Sequence, residues 1–159
     1  MISPTHLHAM AIHFPIALLI IGFFSEIVGL IFKKTFFNKA ALYFLILGTF
    51  GTIVSYLSGD AAGEGIEEGA LGKAIALHEQ AASITLWLSI ATTLVYGAVV
   101  LFKYHHKWTK LIIVLLFTAL IASVTRTGYL GGQLVYKYGA GVELGLPDFN
   151  ALDSTSNQQ

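Results

Sequence analysis

Charge is scarce in this chain: of its 159 residues, 11% are Asp, Glu, Lys or Arg. A water-soluble domain carries about a quarter. The shortfall implies that lipid is the solvent over most of the surface, and a 55% hydrophobic content with mean hydropathy of +0.73 agrees. Cysteine is absent. That excludes disulfides, thiol nucleophiles, iron–sulfur ligation and thioether-attached haem. The formal net charge is zero, so no basic face neutralises phosphates and nucleic acid is not a partner. Met1 to Ile12 holds no Lys or Arg. The positive region of a signal peptide is therefore missing, and the apolar run from Ala9 reads as a retained helix. Catalytic signatures are missing too. There is no G-x-S-x-G, no Walker-type loop, no H-E-x-x-H and no paired-carboxylate pattern in the apolar segments. An electron-transfer or structural component is expected rather than an enzyme.

What is present is long apolar runs. A helix crossing the hydrocarbon core needs about 20 apolar residues, and four segments qualify. The expectation is an all-α, integral membrane four-helix bundle, up-down-up-down. Its helices run over about 9–32, 40–58, 75–103 and 110–136, in one domain over 1–145 with a flexible polar tail over 146–159. Ser3 before Pro4 reads as an N-cap with proline at the first helical position. Pro15 should kink the first span, because it removes a backbone donor. An amphipathic lead-in from Ile66 precedes the third span.

Orientation follows from the loops. Lys33, Lys34, Lys39, Lys103, Lys107 and Lys110 fill two short connections that hold no acid. The opposite side has Lys73 and Lys137 against Asp60, Glu64, Glu67, Glu68, Glu79, Glu143, Asp148 and Asp153. Positive loops stay in the cytoplasm. Both termini are thus expected outside, in the periplasm of a bacterial inner membrane. Tyr104, Trp108, Tyr136 and Tyr138 fit interfacial belts.

The histidines divide between the two sides. His105 and His106 lie in a lysine turn. His6, His8, His13 and His78 precede or open helices descending from the outer side. Counting up from Lys33 puts His13 about 30 Å and His8 about 37 Å along the helix, and His78 lies about 37 Å up from Lys103. A b-type haem needs two neutral imidazoles on opposite sides of one iron. His13 or His8 with His78 would supply them. Copper or zinc would want three or four clustered ligands, from His6, His8, His13, His78 and Glu79. A cofactor-free protein with boundary histidines is the third alternative. A quinol-oxidising cytochrome with two haems needs histidines at two depths, so at most one haem is supported.

Arg126 counts about 24 Å up from Lys110. An arginine there costs at least about 2.5 kcal/mol unless paired or snorkelling. It reads either as a clamp on a haem propionate, a quinone or a lipid head group, or as a structural pair with Asp60 or Glu79. Glu26 lies near the lysine turn, where Lys33, Lys34 or Lys110 would pair with it. A proton path would need a chain of partners for which the sequence offers no pattern. Gly48 and Gly51 read as helix–helix contacts, and Gly128, Gly131 and Gly132 would admit either a backbone or a flat ligand.

Two stretches resemble a known family. HAMAIHFPIAL, His8 to Leu18, is similar to the H-P-x-x-x-H-F-P-I-A-L opening of the bacterial membrane family called domain of unknown function 2231. GYLGGQLVYKYGAGV, Gly128 to Val142, is similar to its closing motif, and His78-Glu79 agrees in kind and place. Ala9 stands where the family has proline, and Ala140 where it has valine. The resemblance implies the four-helix topology. It carries the motif positions onto His8, His13, Gly128, Gly131 and Gly132. Some members are joined to cytochrome c domains, which by analogy implies a periplasmic cytochrome or other membrane subunits as partners.

Overall fold

The computed structural model of the chain describes residues 4–65, 68–104 and 106–142. Ser3, Ile66, Glu67, His105 and everything from Glu143 onward, including the tail over 146–159, lie outside the described residues. Among these residues five helical elements follow one another: α1 (Pro4–Ala11), α2 (His13–Phe32), α3 (Thr35–Gly63), α4 (Gly69–Leu101) and α5 (Lys107–Tyr138). The first two form one span, Pro4–Phe32, so four helices among the described residues are long and apolar enough to cross a membrane.

Proline explains the break within the first span. Pro15 has no N–H to give Ala11, so the hydrogen-bond ladder lapses there. Ile12 nevertheless keeps helical angles, and Ile12 N to His8 O (3.1 Å) and Ile16 N to Ile12 O (3.4 Å) carry the helix across. The lapse in bonding lies inside the single span Pro4–Phe32.

Every span is longer than its apolar run. α3 continues past Ser58 to Gly63, and α4 starts at Gly69. At the other end, Lys33 and Lys103 close α2 and α4 with positive φ, 53° and 57°. A non-glycine residue pays about 1–2 kcal/mol for that conformation. A cation beside the last carbonyls regains part of it. His106 caps α5: its Nδ1 accepts from Trp108 N (3.3 Å), and Thr109 Oγ1 accepts from His106 N (3.3 Å). That gives His106 a structural use.

The helices form a ring. The first span packs on α3, α3 on α4, α4 on α5, and α5 returns to α2. α1 packs on α3 and α2 and does not reach α5. Glycines set the closest approach: a Cβ at Gly48 would meet the Leu19 side chain at 2.7 Å, and one at Gly51 would meet Pro15 at 3.1 Å. Large apolar side chains such as Phe24, Phe36, Phe50, Trp87 and Leu94 face outward, as a bilayer requires. The interior is divided. Leu19, Ala41, Leu45, Ile113, Phe117, Leu120 and Val124 make an apolar core. Thr49, Thr52, Ser55, Thr85, Ser89 and Thr92 are buried along α3 and α4; the end of the bundle that holds His8 and His78 is called here the histidine end.

Candidate functional site

His8 on α1 and His78 on α4 sit on elements that do not pack directly, yet their rings meet across the bundle. The ring centroids are 6.5 Å apart and the planes cross at 81°. Both rings are half-buried.

Hydrogen bonds set the tautomer of each ring. His78 Nδ1 lies 3.1 Å from the Thr127 carbonyl. A carbonyl only accepts, so this nitrogen carries the proton. His8 Nδ1 lies 3.1 Å from Ser58 Oγ. The Ser58 hydroxyl spends its proton on the Ser55 carbonyl at 3.0 Å, so its oxygen accepts from His8. Both imidazoles therefore leave Nε2 as the basic nitrogen. An Nδ1–H held by an oxygen acceptor is also the arrangement that orients a ligating histidine.

Two glycines make room for the rings. A Cβ at Gly59 would stand 2.9 Å from His8 Cε1, and one at Gly131 would stand 3.1 Å from His78 Cε1. The flank between α1 and α5 is not closed by helix contact. The chain beyond α5 turns back over α1 through Gly139 and Gly141, both at positive φ, and the Gly141 position abuts Thr5.

The other sequence candidates fall elsewhere. His13 is exposed, and its Nδ1 donates to Ala9 O at 2.7 Å. The pairing of His13 with His78 is not formed; His8 faces His78. His6 is exposed on α1, two residues from His8, and so projects from another side of the helix. No group of three or more His, Cys, Asp or Glu that could hold a metal ion occurs among the described residues. Arg126 is exposed, level with Thr127, and the expected ion pair with Asp60 or Glu79 is not formed. Of the three clustered glycines only Gly131 touches the pair. A Cβ at Gly128 or Gly132 would meet nothing within 4 Å. A groove of about 510 Å³ between α3 and α4 is lined by Asp60, Glu64 and Glu79 but not by the histidines.

Glu26 departs most from expectation. It is 2% exposed rather than paired with a turn lysine. Its Oε2 accepts from the Tyr96 hydroxyl and from Asn38 Nδ2, the latter at 3.1 Å. The residues that sequence reading missed are thus Ser58, Gly59 and Thr127 around the histidines, and Tyr96 and Asn38 around Glu26. One signal was available: His78, Thr85, Ser89, Thr92 and Tyr96 follow helical spacing and put a polar stripe on one face of α4.

A family model described as "Predicted membrane protein (DUF2231)" matches residues 4–144. No match to the chain was found among curated proteins or among solved structures.

Proposed function

We propose that this chain, which belongs to the DUF2231 family of predicted membrane proteins, holds one b-type haem between His8 and His78 and serves in electron transfer or anchors a partner that does. The observation that carries the reading is the spacing of the histidine pair. Imidazole nitrogens would bind a metal at about 2.0 Å each, so two rings holding one iron between them would stand with their centres several ångströms apart. The observed separation is 6.5 Å.

The donor set favours haem over a bare ion. Copper or zinc wants three or four protein ligands, and no third His, Cys, Asp or Glu joins the pair among the described residues. Haem iron brings four ring nitrogens of its own and needs only two more. Bound there, it would supply outer-sphere, one-electron chemistry. The protein's part is to fix both tautomers through Ser58 and Thr127, and to keep ring-sized space at Gly59 and Gly131. Arg126, exposed and level with His78, is the cation we assign to an anionic substituent. The histidine end is assigned to the periplasmic side of an inner membrane by the loop lysines, which puts a periplasmic cytochrome within reach.

A second reading has its own support. Gly128 and Gly132 make a G-x-x-x-G on a face of α5 where a Cβ would meet nothing, a surface suited to another membrane helix. A cofactor-free subunit of a larger complex would use it. A pyridine haemochrome assay on purified protein, with elemental analysis of the same sample, separates the readings. One haem per chain is expected. Copper or zinc without haem supports the bare-ion alternative, and neither metal nor haem supports the subunit.

A further inference from the structure

Nine residues of the chain are Lys or Arg, and six of them fill the two turns far from the histidines. The other three, Lys73, Arg126 and Lys137, stand in the half that holds the histidines, where the loops are acidic and cations are depleted. All three belong to one flank. A cavity of about 200 Å³ opens between the start of α4 and the end of α5, and Lys73, Gln133 and Tyr138 give it its polar wall. Ala70 and Ala74 leave the space, and Leu77 and Leu130 make its apolar part. Lys137 Nζ is held over the Tyr138 ring, 5.3 Å from its centre. Arg126 shares a face of α5 with Leu130, Gln133 and Lys137, at spacings of four, seven and eleven residues. The carboxylates Asp60, Glu64 and Glu79 line the other groove, between α3 and α4, and among the described residues none lines this one. The outer end is thus divided by charge, with its cations gathered at a single notch.

Depth says what meets that notch. Counting up α4 from Lys103 puts Leu77 about 39 Å and Lys73 about 45 Å along the axis. Counting up α5 from Lys110 puts Leu130 about 30 Å and Tyr138 about 42 Å along. The hydrocarbon is about 30 Å thick, and a bilayer with its head groups about 40–45 Å. The polar wall therefore lies in the head-group layer, and Leu130 lies at the edge of the acyl chains. A site for a whole drug-sized ligand takes about 300–1,000 Å³. This cavity is smaller, so it suits a head group whose chains stay outside. A free anion has no use for the leucines, and a neutral head group has none for the lysines.

We propose that the notch between α4 and α5 binds the phosphate of an anionic phospholipid, phosphatidylglycerol, in the leaflet at the histidine end. Lys73 and Lys137 neutralise the phosphate from opposite helices. Gln133 and Tyr138 donate to its oxygens, and Leu77 and Leu130 take the first part of the chains. Arg126, one turn deeper than Leu130, stays with the histidine end.

The test reads lipid at the notch itself. Tyr129 is 67% exposed and one turn from Gln133, and Trp87 and Trp108 are both exposed. Full-length protein carrying Tyr129→Trp, with Trp87→Phe and Trp108→Phe, is placed in phosphatidylcholine vesicles. A small fraction of the lipid then carries bromine on its chains, as phosphatidylglycerol in one sample and phosphatidylcholine in the other. Brominated phosphatidylglycerol is expected to quench the tryptophan several-fold more than brominated phosphatidylcholine. Lys73→Gln with Lys137→Gln should bring that ratio close to one. Ala74→Leu, which fills the notch and leaves the charge alone, should do the same. Lys107→Gln with Lys110→Gln removes as much charge at the other end and should keep the ratio. Inorganic phosphate should not relieve the quenching. A ratio near one before substitution, a ratio that survives both notch variants, or equal loss in the two lysine pairs would overturn the proposal. Relief by inorganic phosphate would make the occupant a free anion and overturn it too. No haem enters the assay, so its outcome is independent of the haem reading.

Discussion

At the scale of single residues, what matters is which nitrogen faces inward and what leaves it space. The motif from His8 to Leu18 was legible in the sequence, but the rotation of its two histidines was not. His8 and His13 are five residues apart, so they point to sides of the helix well over 90° apart, and Pro15 lies between His13 and the rest of the span. Packing decides the matter: Pro15 seats on Gly51, and His8 then meets Ser58 and His78. Glu26 was misread because distance from the nearest lysine says nothing about which face a residue takes. Tyr96 and Asn38, distant in sequence, are what bury it. Gly59→Ala should push the His8 ring from its place, since the new methyl carbon would stand 2.9 Å from Cε1. Overpacking of this kind costs about 1–3 kcal/mol. Thermal unfolding in detergent reads the loss, and unchanged stability would show that the ring is free to move aside.

At the scale of elements, the spans were legible because twenty-residue apolar runs have few other readings. Their ends were not. α3 runs on through Asp60–Gly63, and α4 begins at Gly69, within the lead-in expected before the third span, where glycine and a single charge in each stretch blur the boundary. Contacts between elements separate two glycines that look alike in sequence. Gly48 of α3 faces Leu19, which is 1% exposed and has nowhere to go, whereas a Cβ at Gly97 of α4 would meet nothing. Gly48→Ala should destabilise the bundle by about 1–3 kcal/mol. Gly97→Ala should stabilise it by up to about 1 kcal/mol, through helix propensity. Equal effects in the same unfolding assay would contradict the packing described for α2 and α3.

For the whole molecule, an interior in part lined by hydroxyls under an apolar exterior suits a bilayer, and which end faces which compartment rests on the six turn lysines. The absence of cysteine makes that directly testable. A membrane-impermeant maleimide applied to intact cells should label Glu64→Cys and leave Lys107→Cys untouched; the reverse pattern would turn the molecule over. The histidine end is assembled from all four spans: His8 of α1, Ser58 of α3, His78 of α4, and Thr127 of α5 as the acceptor behind His78. A linear reading could name those side chains only as candidates, because no spacing along the chain brings α1 to α4. The central claim is that His8 and His78 together grip one haem. The most direct measurement is the reduced-minus-oxidised visible spectrum of protein purified after expression with ample haem, for wild type and the variants His8→Ala, His78→Ala and His13→Ala. The account predicts a b-type band in wild type and in His13→Ala that is lost in the other two; a band that survives both His8→Ala and His78→Ala, or is missing from wild type, would contradict it.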